Sequence, residues 1–292
     1  MTPFKNFSRA FAVFILTIVA FAAAASSAKA QQKHPQPPKT LRLYVFDCGI
    51  INGLDPAMFN FKKEDLAETR MVVPCYLVAD PKGTLMWDVG GIPDTEFKSD
   101  NTPTTWKFFT SKRTLRSQLA EIGYAPSDIT YLSFSHYHGD HVANANEFAG
   151  STWLVRPAER EALFAQTKSE MAEPSEYSEL KNSKTISITT DEYDVFGDGK
   201  VIIKFAPGHT PGHSVLVLKL AKTGNIMLAG DLYHYPEELK TNNTPKNEYN
   251  RDQTLASRAM IQDYLKKTNT KMWIEHDFAA NAKLKKSPQY YD

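Results

Sequence analysis

Leu132-Ser-Phe-Ser-His136-Tyr-His138-Gly-Asp140-His141-Val142 gathers three histidines and an aspartate into six residues. The residues before His136 are apolar and strand-like, and residues 142–148 suit a helix, so the cluster reads as a strand-to-helix turn. In an extended segment, side chains two apart point the same way, so His136 and His138 can hold one cation together. Past the turn, Asp140 and His141 are redirected toward a second, with Gly139 read as the bend between the two pairs. Imidazole nitrogen and carboxylate oxygen are the donors that zinc and similar divalent ions take, and a catalytic site keeps one position open for water.

Working outward, β-rich runs at 41–46, 71–79, 84–87, 129–133, 152–155, 201–205, 214–220, 225–228 and 272–274 alternate with helical patterns at 112–122, 157–166 and 251–267 and a short one after Asp140. Strands outnumber the linkers that could hold crossover helices early in the chain, which favours mostly antiparallel sheets with helices packed outside them. Asp80-Pro-Lys-Gly83 marks a turn between two of the runs, and Gly123 follows a helix as its cap. Residues 91–109 have little periodicity and carry Trp106, Phe108 and Phe109, so they read as one long loop. No repeat of 20 to 50 residues is visible.

The first thirty residues read as a secretory signal: Lys5 and Arg9, an apolar run over 11–25, then Ala28-Lys-Ala30. The run is shorter than the ~20 residues of a spanning helix, and no later stretch could span a bilayer. The expected product is periplasmic or secreted, with a polar leader over 31–40 and one domain over 41–292. Without Lys5, Arg9 and Lys29, 31 basic residues face 33 acidic ones, a net charge of −2 that offers nothing to nucleic acid. Cys48 and Cys75 each lie in a strand-like run and can form a disulfide in an oxidising compartment or stay two buried thiols. Oligomeric state leaves no signature.

The cluster resembles the HxHxDH motif of the metallo-β-lactamase superfamily, and the rest of the chain agrees in order from Leu41 onward. The resemblance implies an α/β fold, an αββα sandwich of two mostly antiparallel sheets flanked by helices. Asp88, in Trp87-Asp-Val-Gly90, falls where that family has its DxG turn, whose aspartate orients the metal loop. In Pro207-Gly-His209-Thr-Pro-Gly-His213, His209 matches a third ligand of the first metal, and His213 reads as a supporting residue. Asp231 stands where the family bridges both metals, and His276 matches the last ligand of the second. The implied metal residues are therefore His136, His138, Asp140, His141, His209, Asp231 and His276. They would hold two divalent ions, zinc by default, although iron, cobalt or manganese suit the same donors.

A bridging aspartate sets the chain apart from the true β-lactamases, and the segments 43–49, 73–78 and 230–236 look most like the N-acyl homoserine lactonases. That likeness implies opening of the lactone ring of a small-molecule substrate by a hydroxide held between the metals, with Asp140 carrying the proton. The better-known lactonases place a tyrosine three residues after the bridging aspartate, thought to polarise the carbonyl. This chain has His234 there and Tyr233 one residue earlier, and either could donate the hydrogen bond. Aromatic segments 58–61 and 106–109 would line an acyl channel. Competing expectations are a broader metallo-hydrolase acting on β-lactams or other esters, a di-iron redox version of the site, and a metal-binding relative without catalysis.

Overall fold

Alternation along the strands sorts the apolar residues onto separate faces. The computed structural model describes residues 1–2, 34–165 and 172–292. The secretory reading of residues 3–30 and the first leader residues, 31–33, lie outside them.

One sheet is built from β1 (Arg42–Ile51), β2 (Met71–Asp80), β3 (Gly83–Trp87), β4 (Thr104–Trp106), β5 (Phe109–Ser111), β6 (Tyr131–Ser133), β7 (Thr152–Val155) and β8 (Thr185–Ser187). Their spatial order is β4-β5-β1-β2-β3-β6-β7-β8. The second sheet comprises β9 (Glu192–Asp194), β10 (Val201–Phe205), β11 (Ser214–Leu220), β12 (Gly224–Leu228) and β13 (Lys271–Trp273), in the order β13-β12-β11-β10-β9. The last strand, β14 (Tyr290–Tyr291), returns to pair with β1.

Leu43, Val45, Tyr76, Val78, Leu85 and Trp87 meet Val201, Ile203, Leu216, Leu218, Ile226 and Leu228 between the sheets. Their alternates on the first sheet, Phe46, Cys75, Leu77 and Met86, face outward to Leu115, Leu119 and Phe148. On the second sheet Val215, Val217 and Met227 face Ile261. Because β2 is buried at all ten of its residues, it is apolar on both faces, as a central strand of a four-layer sandwich must be.

The outer layers hold α1 (Leu115–Glu121), α2 (Gly139–Val142), α3 (Pro157–Phe164), α4 (Pro174–Tyr177), α5 (Arg251–Thr268) and α6 (Phe278–Asn281). Their ends follow local chemistry. The Asn250 side chain accepts the Gln253 N–H to start α5, Asn269 ends it in the left-handed region (φ 51°), and Pro157 opens α3 at a position that needs no N–H. Among the described residues, no helix is long and apolar enough to cross a membrane.

Two features depart from the sequence reading, and two more refine it. Order begins before Leu41, since Pro38 is buried and His34 pairs with Asp128. The 91–109 segment is not structureless: β4 and β5 form a hairpin turning at Lys107, which takes a positive φ of 54°, and the Asp94 carboxylate accepts the Leu115 and Arg116 N–H groups at 2.7 Å, capping α1. The sheets are mostly antiparallel, but β3, β6, β7 and β8 run parallel, as do β12 and β13 with α5 as their crossover. Finally, Cys48 and Cys75 are joined in a disulfide, with Cα atoms 5.9 Å apart, where β1 shifts register between Asp47 and Ile50.

Candidate metal centre

The C-terminal ends of β3, β6, β10, β12 and β13 open onto one edge of the sandwich, where an α/β sheet usually presents its ligand groups. Each end carries one piece of the site: Asp88 after β3, His136 to His141 after β6, His209 after β10, Asp231 after β12 and His276 after β13. The pieces are tied by backbone, with Val89 donating to the His141 carbonyl at 2.8 Å, Ser214 to Ser135 at 2.9 Å and Ala143 to Gly90 at 3.0 Å. Gly90 is required here. It sits at φ 83°, and a Cβ on it would lie 2.9 Å from the Cβ of Cys48, so the loop rests on the disulfide.

The turn in the histidine cluster differs from the expected bend. His138 is still extended (φ −66°, ψ 156°) and Gly139 is the first residue of α2, so the redirection is a strand-to-helix step rather than a glycine kink. Its outcome is the one expected. His136, His138, His209 and Asp231 form one buried group of donor atoms, and Asp140, His141, Asp231 and His276 form another, with the atoms of each group within 4.8 Å of one another.

Asp231 divides its two oxygens between the groups. Oδ2 lies 3.6 Å from His136 Nε2 and 3.4 Å from His209 Nε2. Oδ1 lies 3.3 Å from His141 Nε2 and 2.9 Å from His276 Nε2. Asp140 Oδ2 completes the second group, 3.5 Å from both His141 and His276. His138 alone turns Nδ1 inward, 3.1 Å from His209 Nε2.

The outward faces of these rings are held by partners that fix their orientation, the usual support of a metal site. His276 Nδ1 donates to the Val72 carbonyl at 2.8 Å. His209 Nδ1 lies 2.9 Å from Glu248. Ser135 Oγ sits 3.1 Å from Nδ1 of both His136 and His141. Asp88, at φ 54°, accepts the Ser135 N–H at 2.7 Å and faces His141 Nδ1 at 3.2 Å. Behind it Glu275 is pushed well above the ordinary carboxyl range by burial and by Asp88. His213 accepts the Asp231 N–H at 3.0 Å through Nε2 and donates to Ala206 through Nδ1, the supporting place expected of it.

Electrostatics suit cations. Burial and neighbouring His141 hold His136 well below the ordinary imidazole range, and burial with His209 brings His138 to about 3, which leaves those two rings neutral. Against burial, Asp140 and Asp231 push His141 well above that range, and Glu248 with Asp231 raises His209 to about 9, the pull of carboxylates that a cation would share. Against the cost of burial, His141 keeps Asp140 ionised, at about 2. His276, His136 and His141 likewise hold Asp231 well below the ordinary carboxylate range. His136 Nε2, His141 Nε2, Asp140 Oδ1 and Asp231 Oδ1 are buried without a hydrogen-bond partner. A buried polar atom is costly to leave unpaired, and two cations would satisfy the His136, His141 and Asp231 atoms among them, so the residues present fit a dinuclear centre.

His234 reaches the same floor, with Nε2 3.2 Å from Asp231 Oδ2. Tyr233 does not, and its expected part in catalysis is corrected here. In extended backbone (φ −142°, ψ 136°) it projects opposite to His234. Its hydroxyl meets Gln262 at 3.3 Å, and its ring lies 4.4 Å below the Arg258 guanidinium, within the core under α5. Ser135, Glu159 and Glu248 escaped the sequence reading. Glu159 had no signal at all: on α3, in a charged stretch, it looks solvated, yet it is buried and accepts hydrogen bonds from Tyr137 N, Thr210 Oγ1 and Gly212 N at 2.7–2.9 Å.

Above the donors lies a cavity of about 420 Å³, walled by Ile51, Leu54, Met58, Phe59, Met71, Phe108 and Pro245 with the single polar side chain Asn247, and floored by His138, Asp140, His209, Asp231, His234 and His276. Phe108 faces it, but Trp106 faces a separate cleft beside Asp94 and Glu176.

Fold and site together define a sandwich protein with two buried groups of metal-ligating donors beneath a cavity walled largely by apolar side chains. The chain belongs to the metallo-beta-lactamase superfamily, whose family model matches residues 69–264. It is 25% identical over 269 residues to the N-acyl homoserine lactonase AttM of Azorhizobium caulinodans, a match spanning 86% of this chain and 99% of that one. Among solved structures it shares its fold with an N-acyl homoserine lactone hydrolase that carries the product N-hexanoyl-L-homoserine at its catalytic metal centre (22% identity, TM-score 0.68, 86% of this chain and 99% of that one). The dizinc quorum-quenching lactonase AidC is similar too (19% identity, TM-score 0.59, 86% and 94% covered).

Proposed function

We propose that this chain is a dinuclear metal-dependent hydrolase that opens the lactone ring of N-acyl homoserine lactones, and thereby quenches signalling between cells. The observation that carries the reading is the coupling of two buried four-donor groups, shared through Asp231, to a cavity whose walls are largely apolar. The named activity of relatives such as AttM over nearly their whole length supports it. His136, His138, His209 and Asp231 would hold one cation, and Asp140, His141, Asp231 and His276 the other, with zinc the expected ion. When bound, the cations supply Lewis acidity to the carbonyl and a water ionised near neutral pH.

The chain's own residues supply the rest. The apolar walls bind the acyl chain and leave the ring at the floor. Asp140 takes the proton released as water adds to the carbonyl carbon and returns it to the ring oxygen as the C–O bond breaks, so that water is added and nothing else is lost. His234 takes the place of the lactonase tyrosine at the floor, with its Nε2 the hydrogen-bond partner of the substrate.

We also propose that the protein is exported to the periplasm or beyond, a reading supported by the N-terminal pattern of charge, apolar run and small residues and by a disulfide suited to an oxidising compartment. Cell fractionation with N-terminal sequencing tests it: a mature chain starting near Gln31 outside the cytoplasm is expected, and an uncleaved cytoplasmic chain would overturn it.

The activity is tested by incubating the zinc-loaded protein with a long-chain N-acyl homoserine lactone and following the ring-opened acid by mass spectrometry, with a cephalosporin in parallel. Ring opening that Asp140→Asn abolishes is expected. Turnover of the cephalosporin alone would move the substrate to β-lactams, and ring opening untouched by Asp140→Asn would remove this site from the chemistry.

A further inference from the structure

We propose that Glu238, held by Arg258, is a positioning residue for His234, setting which edge of the imidazole faces the cavity. The inference rests on the reading of His234 given above, and adds to it a histidine–glutamate–arginine chain running from the floor of the site into α5.

The local sequence explains how the three meet. Tyr235 is extended, and Pro236 then opens a single 3-10 turn over Pro236–Lys240, which brings Glu238 back against the residue four positions earlier. Glu238 is 1% exposed. Its Oε2 is fully used, 2.5 Å from Arg258 Nη2 and accepting the His234 N–H at 3.2 Å. Its Oε1 has no hydrogen bond, and neither does His234 Nδ1. The two lie 3.6 Å apart.

One atom is an acceptor, the other is a nitrogen able to donate, and both are cut off from water. Leaving each unpaired would cost stability on both sides, whereas a small rotation of the ring joins them. The ring has little other freedom. It stacks on His276, at 16° between planes and 5.9 Å between centroids, and leans on Phe59 at 4.9 Å. With its plane fixed on both sides, the remaining choice is a flip that would put carbon in place of Nε2 at the cavity floor. A carboxylate beside Nδ1 removes that choice.

Arg258 keeps the carboxylate in place. Nε donates to the Leu232 carbonyl and Nη1 to the Asn243 carbonyl, both at 2.7 Å, while Nη2 pairs with Glu238. All three nitrogens are committed, and the guanidinium lies over Tyr233, so Glu238 cannot swing away without breaking this set. Tyr233, turned out of the site, thus supports it from behind.

The experiment compares His234→Ala, Glu238→Gln and Glu238→Asp in the zinc-loaded protein, by steady-state kinetics with the long-chain lactone and by ¹⁵N NMR of histidine-labelled protein. The His234 resonances are assigned by their loss in His234→Ala. In the wild type, Nδ1 should carry its proton. In Glu238→Gln, whose oxygen is kept by Arg258 and whose amide then faces Nδ1, the proton should move to Nε2. Both Glu238 variants should lower kcat about tenfold to a hundredfold, the range for partners that orient a site residue, with KM within about twofold. Glu238→Asp retains the charge beside Arg258 and carries the test if Glu238→Gln does not fold. A slow His234→Ala beside Glu238 variants of wild-type kcat and unchanged Nδ1 protonation would overturn this inference alone. Wild-type turnover in His234→Ala would overturn the reading of His234, and this inference with it.

Discussion

Glu159 and Gly212 meet without room for a side chain on the glycine. Glu159 Oε2 accepts the Gly212 N–H at 2.7 Å, and a Cβ on Gly212 would lie 2.5 Å from the Cβ of Glu159. The same carboxylate accepts the N–H of Tyr137, between His136 and His138. One buried group on α3 therefore joins the two loops that carry three of the expected ligands of the first cation.

Gly212→Ala should force α3 away from those loops. Overpacking of this kind costs ~1–3 kcal/mol, and the Tyr137 and Thr210 contacts would loosen with it. The expected result is a lower unfolding temperature and a zinc affinity reduced at the first site, read by competition with a chromogenic chelator. Wild-type affinity in a folded Gly212→Ala protein would show that the junction does not set the ligand geometry.

Asp140→Asn and His136→Ala should each lower turnover by roughly two to four orders of magnitude, the range of a positioned acid–base group or more, while the circular dichroism spectrum stays native. His136→Ala should also bind fewer zinc ions per chain in elemental analysis, because it removes an inward nitrogen of the first group. A rate within tenfold of wild type for either variant would remove that residue from the machinery.

Acyl-chain selectivity should depend on Phe108 and not on Trp106, since only Phe108 faces the cavity above the donors. Phe108→Ala should lower kcat/KM for a long-chain lactone by roughly tenfold, in line with losing part of an apolar wall, and should matter less for a short chain. Trp106→Ala should treat both chains alike. A chain-length effect confined to Trp106→Ala would place the acyl group in the other cleft.

Burial pushes the Glu176 carboxyl up to about 7 from its ordinary 4.5. The folded chain thus holds this proton more tightly than the unfolded one, so the stability it contributes is complete below the unfolded value and is lost as pH rises through about 7. The unfolding temperature of the wild type relative to Glu176→Gln should therefore fall between about pH 5 and pH 8. A difference that is constant with pH would show that Glu176 is ionised throughout.

The site was more legible than the scaffold details, for a physical reason. Three histidines and an aspartate in six residues cannot easily be anything but a donor cluster, and Asp231 and His276 each end a strand whose apolar run is plain in the sequence. The short strands β4, β8, β9 and β14 have two or three residues, too few for a period to show. Glu159 was invisible because it opens a Glu159-Arg160-Glu161 run that reads as solvated, and its burial is set by Thr210 and Gly212, some fifty residues away. Tyr233 and His234 could not be told apart until the backbone at 233 was known to be extended, since one residue of register decides which of them faces the donors.

The arrangement of β12 and β13 has a consequence for how the centre comes into being. Their parallel pairing is made only after α5 has crossed over, and His276 follows β13. During synthesis the donors from Asp88 to Asp231 emerge before α5, and one histidine of the second cation's set emerges only after it. The paired centre is thus completed only once α5 and β13 have been made. A chain cut between Asp231 and His276 would keep every donor of the first group and lack one histidine of the second.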